Sequence, residues 1–157
     1  HDDTFHYGFN LLVRKYQKKI YLHIRRMVVD HDDANDLTQE VFIKVFRHIK
    51  NFREDAQLYT WLYRIASNLC LTFLDKQKRK SFFRLTDVNT TLAHKIDIGA
   101  YTTGDEVQQQ LHKALLTLPN KQRLVFNMKY FEEMSYDDMA GITGTSVGAL
   151  KASYHHA

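Results

Sequence analysis

The spacing of the apolar residues is the feature that most restricts how this 157-residue chain can fold. Over most of the sequence, apolar residues recur every three or four positions, which is the period of an amphipathic helix. One proline and six glycines leave few of the residues that the tight turns of a β-rich chain need. The sequence therefore predicts an all-α fold.

The helical periodicity occurs in two blocks. Three helices are predicted in the first block, over residues 9–28, 33–49 and 58–80, and four shorter ones in the second block. Between the blocks, scattered threonines, two glycines and isolated apolar residues show no period, which indicates a linker. We therefore expect two small helical domains, 1–80 and 106–157, that are joined by a flexible linker, 81–105, and move independently in the free protein.

The end of the chain has the spacing of a helix-turn-helix. Ser135 suits the N-cap of a short helix, and Gly144 stands where the turn needs a positive φ. Val147 and Leu150 supply apolar anchors for a second helix, which can enter the major groove of DNA. An ordinary helical hairpin has the same pattern and stays an alternative.

Charge suggests two further surfaces. The net charge of +4 and the pI of about 9.1 fit a polyanionic partner without establishing one. Aromatic and basic residues meet in the third predicted helix and the loop before it, a mixture that can hold single-stranded nucleic acid. The alternative is a packed aromatic stripe with a cationic helix end. The acidic face of the second helix suits either a basic partner or solvent.

Several classes of protein are excluded by missing motifs. The sequence has no glycine-rich phosphate loop, no His-Glu-x-x-His pattern and no G-x-S-x-G motif. Its single cysteine, Cys70, permits neither an intrachain disulfide nor a thiolate metal cluster. No apolar run approaches the roughly 20 residues of a membrane span. We expect no enzyme, no cofactor and no metal site, and a cytoplasmic protein that does not insert into membranes.

Three segments carry recognisable motifs. Residues 33–46 read DANDLTQEVFIKVF, residues 52–68 contain Thr-Trp-Leu, and residues 116–151 contain Leu-Pro and later Ser-Val-Gly. In this order they resemble the core-polymerase-binding helix, the promoter-melting segment and the second DNA-binding domain of the sigma-70 superfamily of RNA polymerase sigma factors. The extracytoplasmic-function (ECF) group of small sigma factors is the most similar. The resemblance covers nearly the whole chain.

The resemblance implies a sigma factor that binds core RNA polymerase and directs promoter-specific transcription initiation. Its first domain would bind the polymerase clamp and open the minus-10 element, and its second would read the minus-35 element and touch the flap. Anti-sigma factors are further partners in the family. The residues that would bind core polymerase are Asp33, Asp36, Leu37, Gln39, Glu40 and Ile43.

The resemblance also implies two sets of DNA-binding residues. The minus-10 set comprises Phe52, Arg53, Gln57, Tyr59, Thr60, Arg64, Asn68, Lys76 and Arg79. The minus-35 set comprises Arg123, Ser146, Val147, Ala149, Lys151, Ser153, Tyr154 and His155.

The chain departs from the family pattern at a few positions. Gly141 stands where an acidic or long polar residue is usual, and Ser153 and His156 stand where arginine is frequent. The family's last helix normally continues with basic residues, so we expect the natural C-terminus to extend beyond Ala157. Two alternatives stay open. One is a helix-turn-helix regulator whose first domain binds a ligand or dimerises, and the other is an adaptor without a DNA role.

Overall fold

The computed structural model of the chain describes residues 2–53, 57–84 and 106–157. In these residues it contains helices and no strands, which confirms the all-α prediction. None of the described helices is both long enough and apolar enough to cross a bilayer. The helices are α1 (Asp2–Val28), α2 (His31–His48), α3 (Leu58–Arg84), α4 (Glu106–Leu115), α5 (Asn120–Tyr130), α6 (Tyr136–Thr143) and α7 (Val147–His156).

The first module is a bundle of α1, α2 and α3, and a 3-10 turn, Ile49–Asn51, follows α2. The apolar rows that predicted the helices meet in its core, because each helix turns one apolar stripe inward. Asp30 caps α2, since its side chain accepts a hydrogen bond from the Asp33 N–H at 3.0 Å. The core includes Ile20, Ile24, Val41, Val45, Leu62 and Ala66, all fully buried.

Two helices are longer than the periodicity predicted. α1 begins at Asp2, because the rings of Phe5 and Phe9 pack against Phe46 of α2 at centroid distances of 5.5 and 5.0 Å. α3 continues to Arg84, and the segment 81–84 contains no glycine or proline to end it. α3 thus extends over residues 81–84 of the predicted linker, and the remainder of that linker, 85–105, lies outside the described residues.

The second module contains the predicted helix-turn-helix in α6 and α7. Gly144 adopts the left-handed conformation with φ of 68°, and its N–H bonds the carbonyl of Ala140 at 2.9 Å. Ser135 and Ser146 cap the two helices through their hydroxyl oxygens. Pro119 stands just before α5 as its N-cap, one position earlier than predicted.

Two glycine-to-alanine substitutions in this module should act in opposite directions. Gly144→Ala should destabilise the protein by about 1–2 kcal/mol, since a Cβ is disfavoured in the left-handed conformation. Gly148→Ala, within α7, should be neutral or stabilise by up to about 1 kcal/mol through helix propensity. Neither new Cβ meets an atom within 4 Å, so backbone conformation alone separates the two. Urea unfolding of both variants measures the difference, and equal effects would contradict the turn geometry.

The two modules pack against each other. α6 and α5 contact α3, and α5 also contacts α1. Leu124, Met128 and Met139 belong to the same continuous core as the first module's apolar residues. The second module thus has apolar and polar groups that are buried against the first, and independent movement in the free protein stays a prediction.

Candidate functional site

One face of α2 is exposed along its length. Asp36, Gln39, Glu40 and Ile43 are exposed and share this face, because residues three, four and seven apart are neighbours on a helix. Ile43 is 51% exposed, so the face combines acid, amide and a large apolar side chain. Asp33, from the same predicted set, is half-buried in the first turn, which Asp30 caps.

Leu37 does not belong to this face. Its side chain is buried among the core residues of the first module, so the predicted contact with polymerase is corrected to a packing role. The acidic-Leu-x-Gln pattern therefore contains both a surface element and a core element. The similarity to a binding helix did not tell the surface residues of this pattern from the core residue. The apolar row that Leu37 forms with Val41 and Val45 identifies Leu37 as the core residue.

The segment before α3 places an aromatic pair beside polar side chains. Phe52 is half-buried, and its ring packs against Trp61 at a centroid distance of 5.2 Å. Arg53 and Gln57 are exposed near it in the chain, and residues 54–56 between them lie outside the described part. Further along α3, Asn68, Lys76 and Arg79 are also exposed. These exposed side chains are accessible to a nucleic acid in the arrangement that the structure describes.

The other predicted minus-10 residues lie against the second module. The Arg64 guanidinium donates to the Gly141 carbonyl, at 3.1 Å from Nε and also through Nη2. Tyr59 packs on the Tyr63 ring at 4.6 Å, and Thr60 faces Gly141. Burial, with smaller contributions from the carboxylates of Glu132 and Asp138, raises the pKa of Tyr59 to about 12. Tyr59 and Thr60 are thus partly buried beside the second module, whereas Arg64 contacts that module and stays exposed.

A buried polar network joins the modules, and sequence reasoning missed it. His23 is 1% exposed, with Nδ1 at 2.8 Å from Glu132 Oε1 and Nε2 at 2.9 Å from Ser67 Oγ. The Arg26 guanidinium also reaches Glu132 Oε1 at 3.5 Å. His23 shares the inward face of α1 with Ile20 and Met27. That apolar row was the available signal.

Arg123 is corrected from a DNA contact to a structural one. Its side chain is 1% exposed, and Nη2 donates to the carbonyl of Met27 in α1 at 2.9 Å. It also lies 3.4 Å from Asn120 Oδ1. The guanidinium satisfies a carbonyl near the C-terminal end of α1, so it cannot meet a phosphate in this arrangement.

The remaining minus-35 residues lie on α7. Ala149, Lys151 and His155 are exposed, as is Ser146, whose hydroxyl caps the helix. Val147 and Ser153 are partly buried. Tyr154 is also partly buried, because its ring packs on Phe126 at 5.7 Å.

The chemistry of the described residues offers neither a metal site nor a reactive thiol. Within them, no group of three or more histidine, cysteine or carboxylate side chains is arranged to hold a metal ion. Cys70 is fully buried in the core, and burial raises the pKa of its thiol far above the ordinary value. Cys70 therefore has a packing role in the core.

Comparison with known proteins gives the same two-part division. The family model for sigma-70 region 2 matches residues 12–80, and the model for sigma-70 region 4 matches residues 108–157. The RNA polymerase sigma-H factor of Pseudomonas aeruginosa is 34% identical, over 92% of this chain and 79% of its own length. The ECF RNA polymerase sigma-E factor of Escherichia coli K12 is 31% identical, over 92% of this chain and 80% of its own.

Two solved structures share the fold. The sigma factor RpoE of Bartonella quintana, in complex with the anti-sigma factor NepR, superposes with a TM-score of 0.72 at 20% identity, covering 95% of this chain and 91% of that one. CnrH, in complex with the cytosolic domain of CnrY, gives 0.66 at 18% identity, covering 96% and 82%. The chain therefore belongs to the sigma-70 family, in its ECF group, and is a factor that binds core RNA polymerase and directs promoter-specific transcription initiation.

Proposed function

We propose that three separate surfaces of this sigma factor carry its contacts with polymerase and promoter. The exposed face of α2 would bind the polymerase clamp, the segment from Phe52 through α3 would open the minus-10 element, and α7 would read the minus-35 element. The two modules, bounded by 1–80 and 106–157, would be the units that carry these tasks. The main support is that exposed residues of the matching chemistry lie on each of these elements.

The face on α2 suits a protein partner better than a nucleic acid. Asp36 and Glu40 would repel phosphates, whereas they complement a basic surface. Ile43 and the 39% exposed Phe46 add apolar contact area on the same helix. A mixed patch of this kind is typical of protein interfaces, in which apolar anchors are surrounded by charges.

The surface around Phe52 suits a strand whose bases are unstacked. Arg53, Lys76 and Arg79 can neutralise phosphates, and amide groups such as that of Asn68 can read the edge of a base. Stacking on one aromatic ring is worth roughly 1–3 kcal/mol per base, which offsets part of the few kcal/mol needed to extrude a base. The ring of Phe52 is half-exposed and available for such stacking.

α7 has the position of a recognition helix. It follows α6 through the tight turn at Gly144, and such a helix can lie in the major groove. Ala149, Lys151 and His155 are its exposed candidates for contact with base edges and phosphates. We assign contact with the polymerase flap to the same module.

The proposal extends to location and to regulation. Because polymerase and chromosome are its working partners, the protein would act in the cytoplasm and contribute binding energy rather than chemistry. An anti-sigma factor would be a further partner, as NepR is for the sigma factor RpoE of Bartonella quintana, which shares the fold.

Run-off transcription with purified core polymerase on a genomic promoter library tests the proposed function. Specific transcripts should depend on both the chain and core polymerase, while the chain alone should bind duplex promoter DNA weakly. Tight sequence-specific binding of duplex DNA by the chain alone, without polymerase-dependent transcripts, would favour the helix-turn-helix regulator.

A further inference from the structure

The first turns of α1 and the C-terminal end of α2 form a cluster of rings at the surface of the first module. Phe46 of α2 is at its centre, and the rings of Phe5, His6 and Phe9 lie 5.5, 5.8 and 5.0 Å from it, measured between centroids. His6 stacks on Phe46 with an interplanar angle of 24°. We call these four residues the aromatic platform. Its ring contacts hold the start of α1 against α2.

The aromatic platform is open to solvent on one side. The His6 side chain is 53% exposed, and Phe46 is 39% exposed. Ile43, which precedes Phe46 by three residues on α2, is 51% exposed and is its neighbour on the helix surface. The platform is therefore continuous with the α2 face that we assign to the polymerase clamp. The sigma-70 region 2 model matches residues 12–80, so the α1 part of the platform, residues 5–9, lies before the matched region.

The charge of this surface changes sign along α2. Its N-terminal half presents the acids Asp36 and Glu40, whereas its C-terminal end and the turn that follows present Arg47 and Lys50. Lys50 also lies over the ring of Phe5, with Nζ at 5.1 Å from the ring centroid. A surface that is acidic at one end and cationic at the other complements a partner with the opposite order of charges. That order fixes the orientation in which the partner binds.

The mixture of groups fits a protein better than a nucleic acid. Rings and cations together also occur on surfaces that hold single strands. Here, however, Asp36 and Glu40 lie on the same helix, and a third acid, Asp2, is 3.5 Å from His6. These carboxylates would repel a phosphate backbone that ran along the surface. Exposed aromatic side chains together with arginine are typical of the centres of protein interfaces.

We propose that the aromatic platform, with Ile43 and Arg47, is a second part of the polymerase-binding surface and takes an apolar and acidic patch of core polymerase. This role rests on the proposed assignment of α2 to the polymerase contact. The rings of His6 and Phe46 would pack on apolar side chains of polymerase, while Arg47 would pair with a carboxylate. Asp36 would engage a basic patch about three helical turns away.

The affinity of two variants for core polymerase tests the aromatic platform. His6→Ala removes an exposed ring and should weaken binding about three-fold, which is the value of one aromatic contact. Arg47→Glu should weaken binding at least about ten-fold, because it places an acid against the acidic patch of the partner. Fluorescence anisotropy of the labelled sigma factor with core polymerase measures both dissociation constants.

The matched controls lie on the outer side of α1. Tyr7 is 67% exposed, and Lys18 is exposed three turns further along the same side, opposite to the inward-facing Ile20. Tyr7→Ala removes a ring and Lys18→Glu reverses a charge, as the two test variants do. Both controls should leave polymerase affinity unchanged. An equal loss of affinity in the controls and the test variants would overturn the platform.

Photo-crosslinking locates the contact without relying on a change in affinity. With benzoylphenylalanine in place of His6 or Arg47, the holoenzyme should give crosslinks to a polymerase subunit, whereas the same residue in place of Lys18 should give none. Crosslinks from His6 and Arg47 to promoter DNA, and none to polymerase, would overturn the proposal. Urea unfolding checks the stability of each variant. Arg47→Glu and the crosslinks test the platform even if His6→Ala frays the start of α1.

Replacement of Asp36 and Gln39 with alanine, in the same assay, distinguishes failure of the platform from failure of the proposed function. If that pair weakens polymerase binding while His6→Ala and Arg47→Glu do not, the platform is not part of the surface and the role of α2 stands. If only the platform variants weaken binding, the platform is a polymerase contact and the acidic half of α2 is not. If none of them weakens binding, both assignments fail.

Discussion

Replacing both Arg53 and Asn68 with alanine is expected to reduce open-complex formation on the order of 100-fold, while initial binding to duplex promoter largely persists. Both side chains are exposed beside the half-buried Phe52 or along α3, so their removal should not disturb the core. Losing one charged and one neutral hydrogen-bonding partner is worth about 2–4 kcal/mol together. Permanganate reactivity of promoter thymines, with polymerase present, measures the open complex directly.

The matched control pair lies on α7. Lys151→Ala with Tyr154→Phe removes a cation and a hydroxyl group but keeps the ring that packs on Phe126. This pair should weaken initial promoter binding and leave the ratio of open to closed complexes unchanged. A pre-melted bubble template should rescue the Arg53 and Asn68 pair better than the α7 pair. Equal rescue of both pairs would contradict the division of tasks between α3 and α7.

Substitution of Asp36 and Gln39 with alanine is expected to weaken binding to core polymerase by at least about 10-fold, since a pair at the centre of an interface is worth more than 1–2 kcal/mol. The two residues lie on the exposed face of α2 and carry no packing role, so unfolding should be unaffected. Fluorescence anisotropy of the labelled sigma factor with core polymerase gives the dissociation constant.

Two control variants distinguish an effect on polymerase binding from an effect on protein stability. Asp75→Ala removes an exposed acid from α3 and should leave polymerase affinity unchanged. Leu37→Ala should lower the free energy of unfolding by roughly 2–5 kcal/mol, because it empties a buried position in the core. If Asp36 and Gln39 can be replaced without loss of affinity, α2 is not the polymerase contact.

The helices themselves were predictable from local patterns. Apolar spacing located all seven described helices, and Ser135 and Gly144 marked the two ends of α6. Local signals succeed here because caps and left-handed turns depend on residues that are adjacent in the chain. The extension of α1 to Asp2 was missed, since it depends on Phe46 in another helix.

The relation between the modules could not be predicted in the same way. Arg123 reads as a surface cation, and only the position of the Met27 carbonyl, far away in the chain, explains why it is buried. Gly141 stood out as a departure from the family pattern, but its reason lies in a methyl group of α3. Long-range contacts of this kind leave no periodic pattern in a single sequence. The types of the site residues were therefore predictable, whereas their burial against other helices was not.

Cys70 bears on how this protein responds to oxidants. Peroxides and disulfides react with the thiolate form of cysteine, and they need access to its sulfur. Cys70 is fully buried, and burial raises the pKa of its thiol, so both conditions are unfavourable in the folded protein. Cys70, the only sulfhydryl group of these 157 residues, is therefore protected from oxidants as long as the protein stays folded, and a redox signal could act through it only after unfolding.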